Sequence, residues 1–173
     1  MKKRVPQTDG SFHGVLRIVS GGQTGVDQAA LDAAIELNIP HGGWCPRGRL
    51  CESGRIPSKY KLMELTSADY AARTQQNVID SDGTLIIYQG RLQGGTALTY
   101  RVARQLQKPV MRVRLDVKPD FESIVKWLNE NSIRVLNVAG PRGSSNPELY
   151  QIATDFLIAL SQYRAVGREG LFD

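Results

Sequence analysis

Three times in this chain a run of apolar residues stops at a cluster of glycines and a helical pattern follows, and this recurrence narrows the folds open to it more than any other feature. The first unit is Ile18-Val19-Ser20-Gly21-Gly22-Gln23-Thr24-Gly25-Val26-Asp27. The second carries Thr84-Leu85-Ile86-Ile87-Tyr88 into Gly90 and then Gly94-Gly95-Thr96, and the third carries Leu136 and Val138 into Ala139-Gly140-Pro141-Arg142-Gly143. Short, nearly continuous apolar runs suit strands buried on both faces of a parallel sheet. Strands alternating with helices at this rhythm predict a three-layer, doubly wound, Rossmann-like α/β domain with a mostly parallel sheet of about five or more strands. Open sheets of this kind bind ligands beyond the carboxyl ends of their strands, so the glycine turns are expected to face one another across a site.

A glycine turn at a helix start leaves backbone N–H groups unpaired where the positive end of the helix dipole points, which suits a phosphate or a carboxylate. Glycine also permits positive φ and, lacking Cβ, lets a bulky anion reach the backbone. The first turn matches neither G-x-G-x-x-G nor a P-loop, so a tight strand-to-helix turn with no ligand stands as its alternative. In the second unit, Thr96 is expected to cap a helix that carries Leu98, Val102 and Leu106 on one face, and to hydrogen-bond an anion. Residues 67–80 read as a helix with Ser67 as N-cap, in which Arg73 and Asn77 share a face that points at a pocket or at water. Between His41 and Ser67 the pattern fades into a long loop rich in glycine, proline and arginine. Trp44, Arg47, Arg49 and Arg55 either rim a ligand there or lie solvated, with Trp44 tucked into the core. The final helix is expected to begin at Asn146 and Pro147, with Ile152, Phe156 and Leu160 repeating every four residues. The candidate binding residues are Ser20, Gly21, Gly22, Gln23, Thr24, Gly25, Asp27, Arg47, Arg73, Asn77, Gly94, Gly95, Thr96, Gly140 and Arg142.

At 173 residues, the chain fits one domain. Residues 1–13 read as a flexible leader, 14–163 as the ligand-binding domain and 164–173 as a tail. No apolar run approaches the roughly 20 residues that cross a bilayer. The basic Met1-Lys2-Lys3-Arg4 is followed by polar residues rather than the apolar core of a signal peptide, so a cytoplasmic location is expected. Cys45 and Cys51 are too far apart for a C-x-x-C pair, and His13 and His41 lie in different segments, so no protein-ligated metal is predicted. The formal charge of +5 favours an anionic partner. No basic helix or aromatic-interleaved stripe supports nucleic acid in that role.

Five ordered blocks carry a family resemblance: Ser20 to Asp27, His41 to Pro46, Asp80 to Ile86, Gly94 to Thr99, and Leu136 to Arg142. Together they resemble the molybdenum cofactor carrier proteins. That family belongs to the Rossmann-like superfamily that includes the lysine decarboxylase-like phosphoribohydrolases and the DNA-processing protein DprA. The resemblance implies binding, storage or transfer of the molybdenum cofactor (molybdopterin), an anionic pterin with a dithiolene and a phosphate. It also implies a homo-oligomer, with molybdoenzymes or cofactor-synthesis proteins as partners. A nucleotide or nucleotide-derivative sensor is the alternative, since a nucleotide phosphate asks the same of a loop. The phosphoribohydrolase relatives carry Gly-Gly-x-Gly-Thr-x-x-Glu, and their glutamate falls at Thr99 here. A hydroxyl cannot act as that carboxylate does near neutral pH, which argues against nucleotide hydrolysis, and no catalytic residue is assigned. Asp27, Asp80 and Asp82 remain as carboxylates, with helix-terminus or turn-capping roles as the alternative.

Overall fold

The computed structural model of the protein describes residues 12–165. In chain order the elements are β1 (Arg17–Val19), α1 (Val26–Glu36), β2 (His41–Gly42), β3 (Trp44–Cys45), β4 (Leu50–Cys51), β5 (Gly54–Arg55) and β6 (Met63–Glu64). They continue with α2 (Tyr70–Ile79), β7 (Gly83–Tyr88), α3 (Gly94–Gln105), β8 (Val110–Arg114), α4 (Phe121–Glu130), β9 (Val135–Ala139) and α5 (Leu149–Gln162). Five strands form one sheet in the order β2-β1-β9-β7-β8, with every neighbouring pair parallel. The expected doubly wound Rossmann-like α/β architecture is therefore present.

Right-handed crossovers decide which face each helix takes. The chain steps from β1 out to β2, crosses to β7, steps out to β8, and returns to β9 between β1 and β7. Because α1 and α4 serve steps in one direction and α3 a step in the other, they fall on opposite faces. The ring of Phe121 on α4 lies 5.7 Å from that of Phe156 on α5. Residues of α1, α4 and α5 share one apolar core with Ile18, Leu85, Leu136 and Val138 of the sheet. Ala29, Ala30, Ala33 and Ala34 of α1 are fully buried, and their small side chains let α1 lie close against its neighbours. β7 is buried along its whole length, as a central parallel strand must be.

Several boundaries differ from those expected. Asp69, not Ser67, caps α2: its carboxylate accepts the Ala71 N–H at 2.9 Å, while Ser67 Oγ accepts the Asp69 N–H at 3.0 Å. Thr96 does not cap α3, which begins two residues earlier at Gly94 with Gln93 at the N-cap. The buried face of α3 is Thr96, Thr99 and Ala103, whereas Leu106 is 38% exposed. Small residues on that face bring α3 close to the sheet, and Leu98 and Val102 are left half-buried. α5 starts at Leu149, because Asn146 and Pro147 belong to a turn in which Asn146 C=O accepts the Leu149 N–H.

The long loop contains structure of its own. The extended stretch from His41 to Cys45 divides at Gly43 (φ 123°), whose Cβ would lie 2.3 Å from Ser20 O. β2 therefore stays with the main sheet while β3 leaves it to pair with β6. β4 and β5 form a hairpin over a second small core of Leu31, Cys45, Cys51, Ile56 and Tyr60. Ahead of the expected start at Gly14, Phe12 is buried in the main core and His13 Nε2 donates to Leu160 O at 2.6 Å. The rest of the expected leader and all but the first two residues of the tail lie outside the described residues. No described helix is long and apolar enough to cross a membrane.

Candidate functional site

The carboxyl ends of β1, β7 and β9 carry the three glycine turns to one side of the sheet, where they and α2 enclose a cavity of about 600 Å³. Its lining includes Gly21, Gln23, Asp27, Arg73, Asn77, Gly94, Gly95, Thr96, Gly140 and Arg142, all read as candidates from the sequence. Five other candidates stand outside it. Ser20 is buried, its hydroxyl donating to Val138 O at 2.7 Å and tying the end of β1 to β9. Thr24 donates its hydroxyl to Glu52. Gly22 and Gly25 pack behind the cavity wall, and Arg47 is exposed on the loop after β3. Residues not singled out as binding candidates complete the lining, among them Gln89, Arg91, Gln93, Thr99, Asn137 and Asn146. Asn137 had a sequence signal, a polar side chain inside the apolar strand Val135–Ala139; Arg91 and Gln93 had only their place in the second turn.

The glycines divide by what a side chain would meet. A Cβ on Gly21 would lie 1.9 Å from Arg73 Nη1, and one on Gly22 (φ 77°) would lie 2.6 Å from Leu62 Cδ1. On Gly25 (φ 81°) it would meet Pro141 O at 2.4 Å, and on Gly140 it would meet Ile87 O at 2.3 Å. Glycine in the first and third turns thus serves close packing of the chain against itself. At Gly94 and Gly95 nothing lies within 4 Å, so only the second turn leaves its backbone open.

The same division holds for the helix ends. At the start of α1 the chain uses its own acceptors: Val26 N–H donates to Pro141 O at 3.2 Å and Gln28 N–H to Gln23 O at 3.1 Å. Asp27 adds a carboxylate there. Neither helix has a side-chain cap, but α3 opens with two glycines, and its first-turn residues Gly94, Gly95 and Thr96 line the cavity, which sets its positive dipole end there.

Asp27 and Arg73 form a buried pair, Oδ2 to Nη1 3.2 Å, with side chains 8% and 11% exposed. Burial pushes the Asp27 carboxyl above its ordinary range, against the opposing pull of Arg73 and the Gln23 N–H. Gln23 Oε1 accepts from Thr24 N–H at 3.0 Å and from Glu52 N–H at 2.9 Å, but Gln23 Nε2 and Arg73 Nε are buried without a partner. Arg73, Arg91 and Arg142 face a single lining carboxylate, Asp27, which gives the cavity a net positive lining.

A sequence profile of the circularly permutated YpsA SLOG family matches residues 18–161. The chain belongs to that family. It is also similar to a solved structure described as "Putative molybdenum carrier protein" from Syntrophus aciditrophicus SB, at 48% identity over 87% of this chain and 96% of that one, with a TM-score of 0.82. No curated protein matches.

In this family member Thr99 lies on the cavity wall, one helical turn after Gly95, and its hydroxyl donates to Gly95 O at 2.9 Å. Cys45 and Cys51 are free thiols buried in the second core, away from the cavity lining. Among the described residues no group of three or more histidine, cysteine, aspartate or glutamate side chains is arranged to hold a metal ion.

Proposed function

We propose that this protein binds the molybdenum cofactor as a carrier, with the anionic pterin in the cavity at the carboxyl ends of β1, β7 and β9. The observation that carries the reading is the open amide end of α3 at Gly94 and Gly95, beside Arg91 and within a cavity whose lining has a positive balance. Backbone N–H groups at a helix start, together with guanidinium, are the usual partners of a phosphate. The heterocycle meets amide side chains: Gln89, Gln93 and Asn146 line the cavity, and the 2.8 Å bond from Asn146 Nδ2 to Gln89 Oε1 uses one end of each of two amides. Gln23 Nε2 and Arg73 Nε supply two further unspent donors. Molybdenum, as cargo, is held by the ligand's own dithiolene, so the burial of both thiols elsewhere is no obstacle.

The function is binding and transfer rather than turnover. Thr99 holds no carboxylate against the ligand, and the Asp27 carboxylate is engaged by Arg73 and the Gln23 N–H. We further propose a cytoplasmic homo-oligomer that hands its ligand to molybdoenzymes or receives it from cofactor-synthesis proteins. Native mass spectrometry of protein from a cofactor-producing strain, with molybdenum and phosphorus quantified on the same sample, is expected to show one molybdopterin per chain. A bound nucleotide without molybdenum would overturn the carrier reading in favour of a nucleotide sensor.

A further inference from the structure

Glu52 stands at the two-residue tip of the β4–β5 hairpin, where Cys51 pairs with Gly54. The tip is exposed, yet the Glu52 side chain keeps only 19% exposure because it folds back between the first and third glycine turns. Its Oε1 accepts from the Ser144 N–H at 2.9 Å and from the Thr24 hydroxyl. Its Oε2 accepts from the Ser144 hydroxyl at 2.5 Å and lies 3.9 Å from Arg142 Nη1. The Ser144 and Thr24 hydroxyls hold the carboxyl below its ordinary range. One backbone N–H, two hydroxyls and a guanidinium converging on two oxygens form a donor set that also fits a phosphate or another tetrahedral oxyanion. Here the chain fills it with its own anion. Arg142 belongs to both places, lining the cavity while it pairs with Glu52.

We propose that the Ser144, Thr24 and Arg142 donors form an oxyanion subsite for which Glu52 and the ligand compete, so that a phosphate or comparable oxyanion displaces the Glu52 carboxylate and releases the hairpin tip. This rests on the cavity being an anion site. The hairpin is built to let go: its strands are two residues each and are not joined to the main sheet. Cys51 and Ile56 anchor its base in the second core, while Ser53, Gly54 and Arg55 are exposed. Apart from its side chain, Glu52 is held by its N–H to Gln23 Oε1 at 2.9 Å, so the tip moves at the cost of that bond and without dismantling a core. Displacement exchanges a carboxylate for an oxyanion that carries more charge and more acceptor oxygens, which the same donors hold more strongly.

The test titrates inorganic phosphate into the full chain and into the Glu52→Ala and Glu52→Ala/Ser144→Ala variants, with folding checked by circular dichroism. Glu52→Ala is expected to bind phosphate several-fold more tightly than the parent, and the double variant to lose that gain. In the parent, phosphate should speed amide hydrogen exchange over residues 50–55. Equal or weaker binding by a folded Glu52→Ala, or slower exchange at the hairpin, overturns the proposal. Should Glu52→Ala not fold, Glu52→Gln is expected to shift binding in the same direction, because its amide N–H groups meet donors rather than acceptors. Phosphate binding lost in Arg91→Ala but indifferent to Glu52→Ala would keep the α3 site and overturn this one. A gain in Glu52→Ala that survives Arg91→Ala would uphold the subsite even where the pterin reading failed.

Discussion

Single glycines in this chain do two kinds of work, and substitution separates them. At Gly95 a side chain enters open space, so Gly95→Val is expected to fold normally and to lose the ligand; unchanged affinity by calorimetry would take the α3 end out of the site. At Gly22 the same change meets Leu62 and Ile56 and forces a β-branched residue to φ 77°. Overpacking and left-handed strain together should cost about 2–4 kcal/mol, lowering Tm by roughly 5–15 °C in a thermal melt. The sequence marks both as glycines in glycine-rich turns; only the neighbours tell them apart. Asp27 is a second case. Since burial raises its carboxyl pKa, the protonated form is favoured by the fold, and its contribution to stability is present below the ordinary carboxylate range and lost as pH rises through the raised value. The Asp27→Asn variant should therefore gain on the parent as pH increases through that window, as denaturant titrations at several pH values would read. Arg73→Gln should push the Asp27 carboxyl higher still, which carbonyl-carbon nuclear magnetic resonance would follow.

Between elements, a polar brace holds α1 to α5 and to the loop before β6. Asp32 Oδ2 accepts from the hydroxyls of Tyr60, at 2.9 Å, and Tyr150, at 2.5 Å, and Asp32 Oδ1 pairs with Lys59 at 2.9 Å. Burial pushes the Tyr150 hydroxyl up to about 12, with the Asp32 carboxylate adding to the shift, and the buried Tyr60 hydroxyl moves in the same direction. For Asp32, burial acts upward, but the tyrosine hydroxyls and Lys59 more than offset it and the carboxyl is lowered. Its stabilising contribution is thus present above the ordinary carboxylate range and is lost as pH falls through the depressed value. Tyr60→Phe should remove one charge-assisted bond and about 1–2 kcal/mol of stability, measured by urea unfolding at neutral pH. The brace was illegible from sequence, because it joins residues 32, 59, 60 and 150, whose approach depends on how α1 and α5 pack. Helix ends were misread for a related reason: Ser67 and Asp69 are both sound N-cap residues, and the local sequence does not say which carries the cap.

For the molecule as a whole, the proposed homo-oligomer predicts a sedimenting mass that is a multiple of 19.1 kDa. A concentration-independent mass of one chain would remove it. The alternation of apolar runs, glycine turns and amphipathic helices was enough by itself to determine the α/β class and the side of the sheet on which the cavity opens. Handed crossovers and buried parallel strands leave few other ways to fold such a pattern. Nearly half of the cavity lining was legible too, because strand ends and the turns after them are local features. What only the tertiary structure decided is which turn is open. The first turn, most prominent in the sequence, is filled by Arg73, Leu62, Ile56 and Pro141 from segments far along the chain, while Gly94 and Gly95 meet nothing. The reach of Glu52 from a hairpin tip to Thr24 and Ser144 was hidden likewise. Occupancy of space depends on which distant residues arrive there, and local patterning does not encode that.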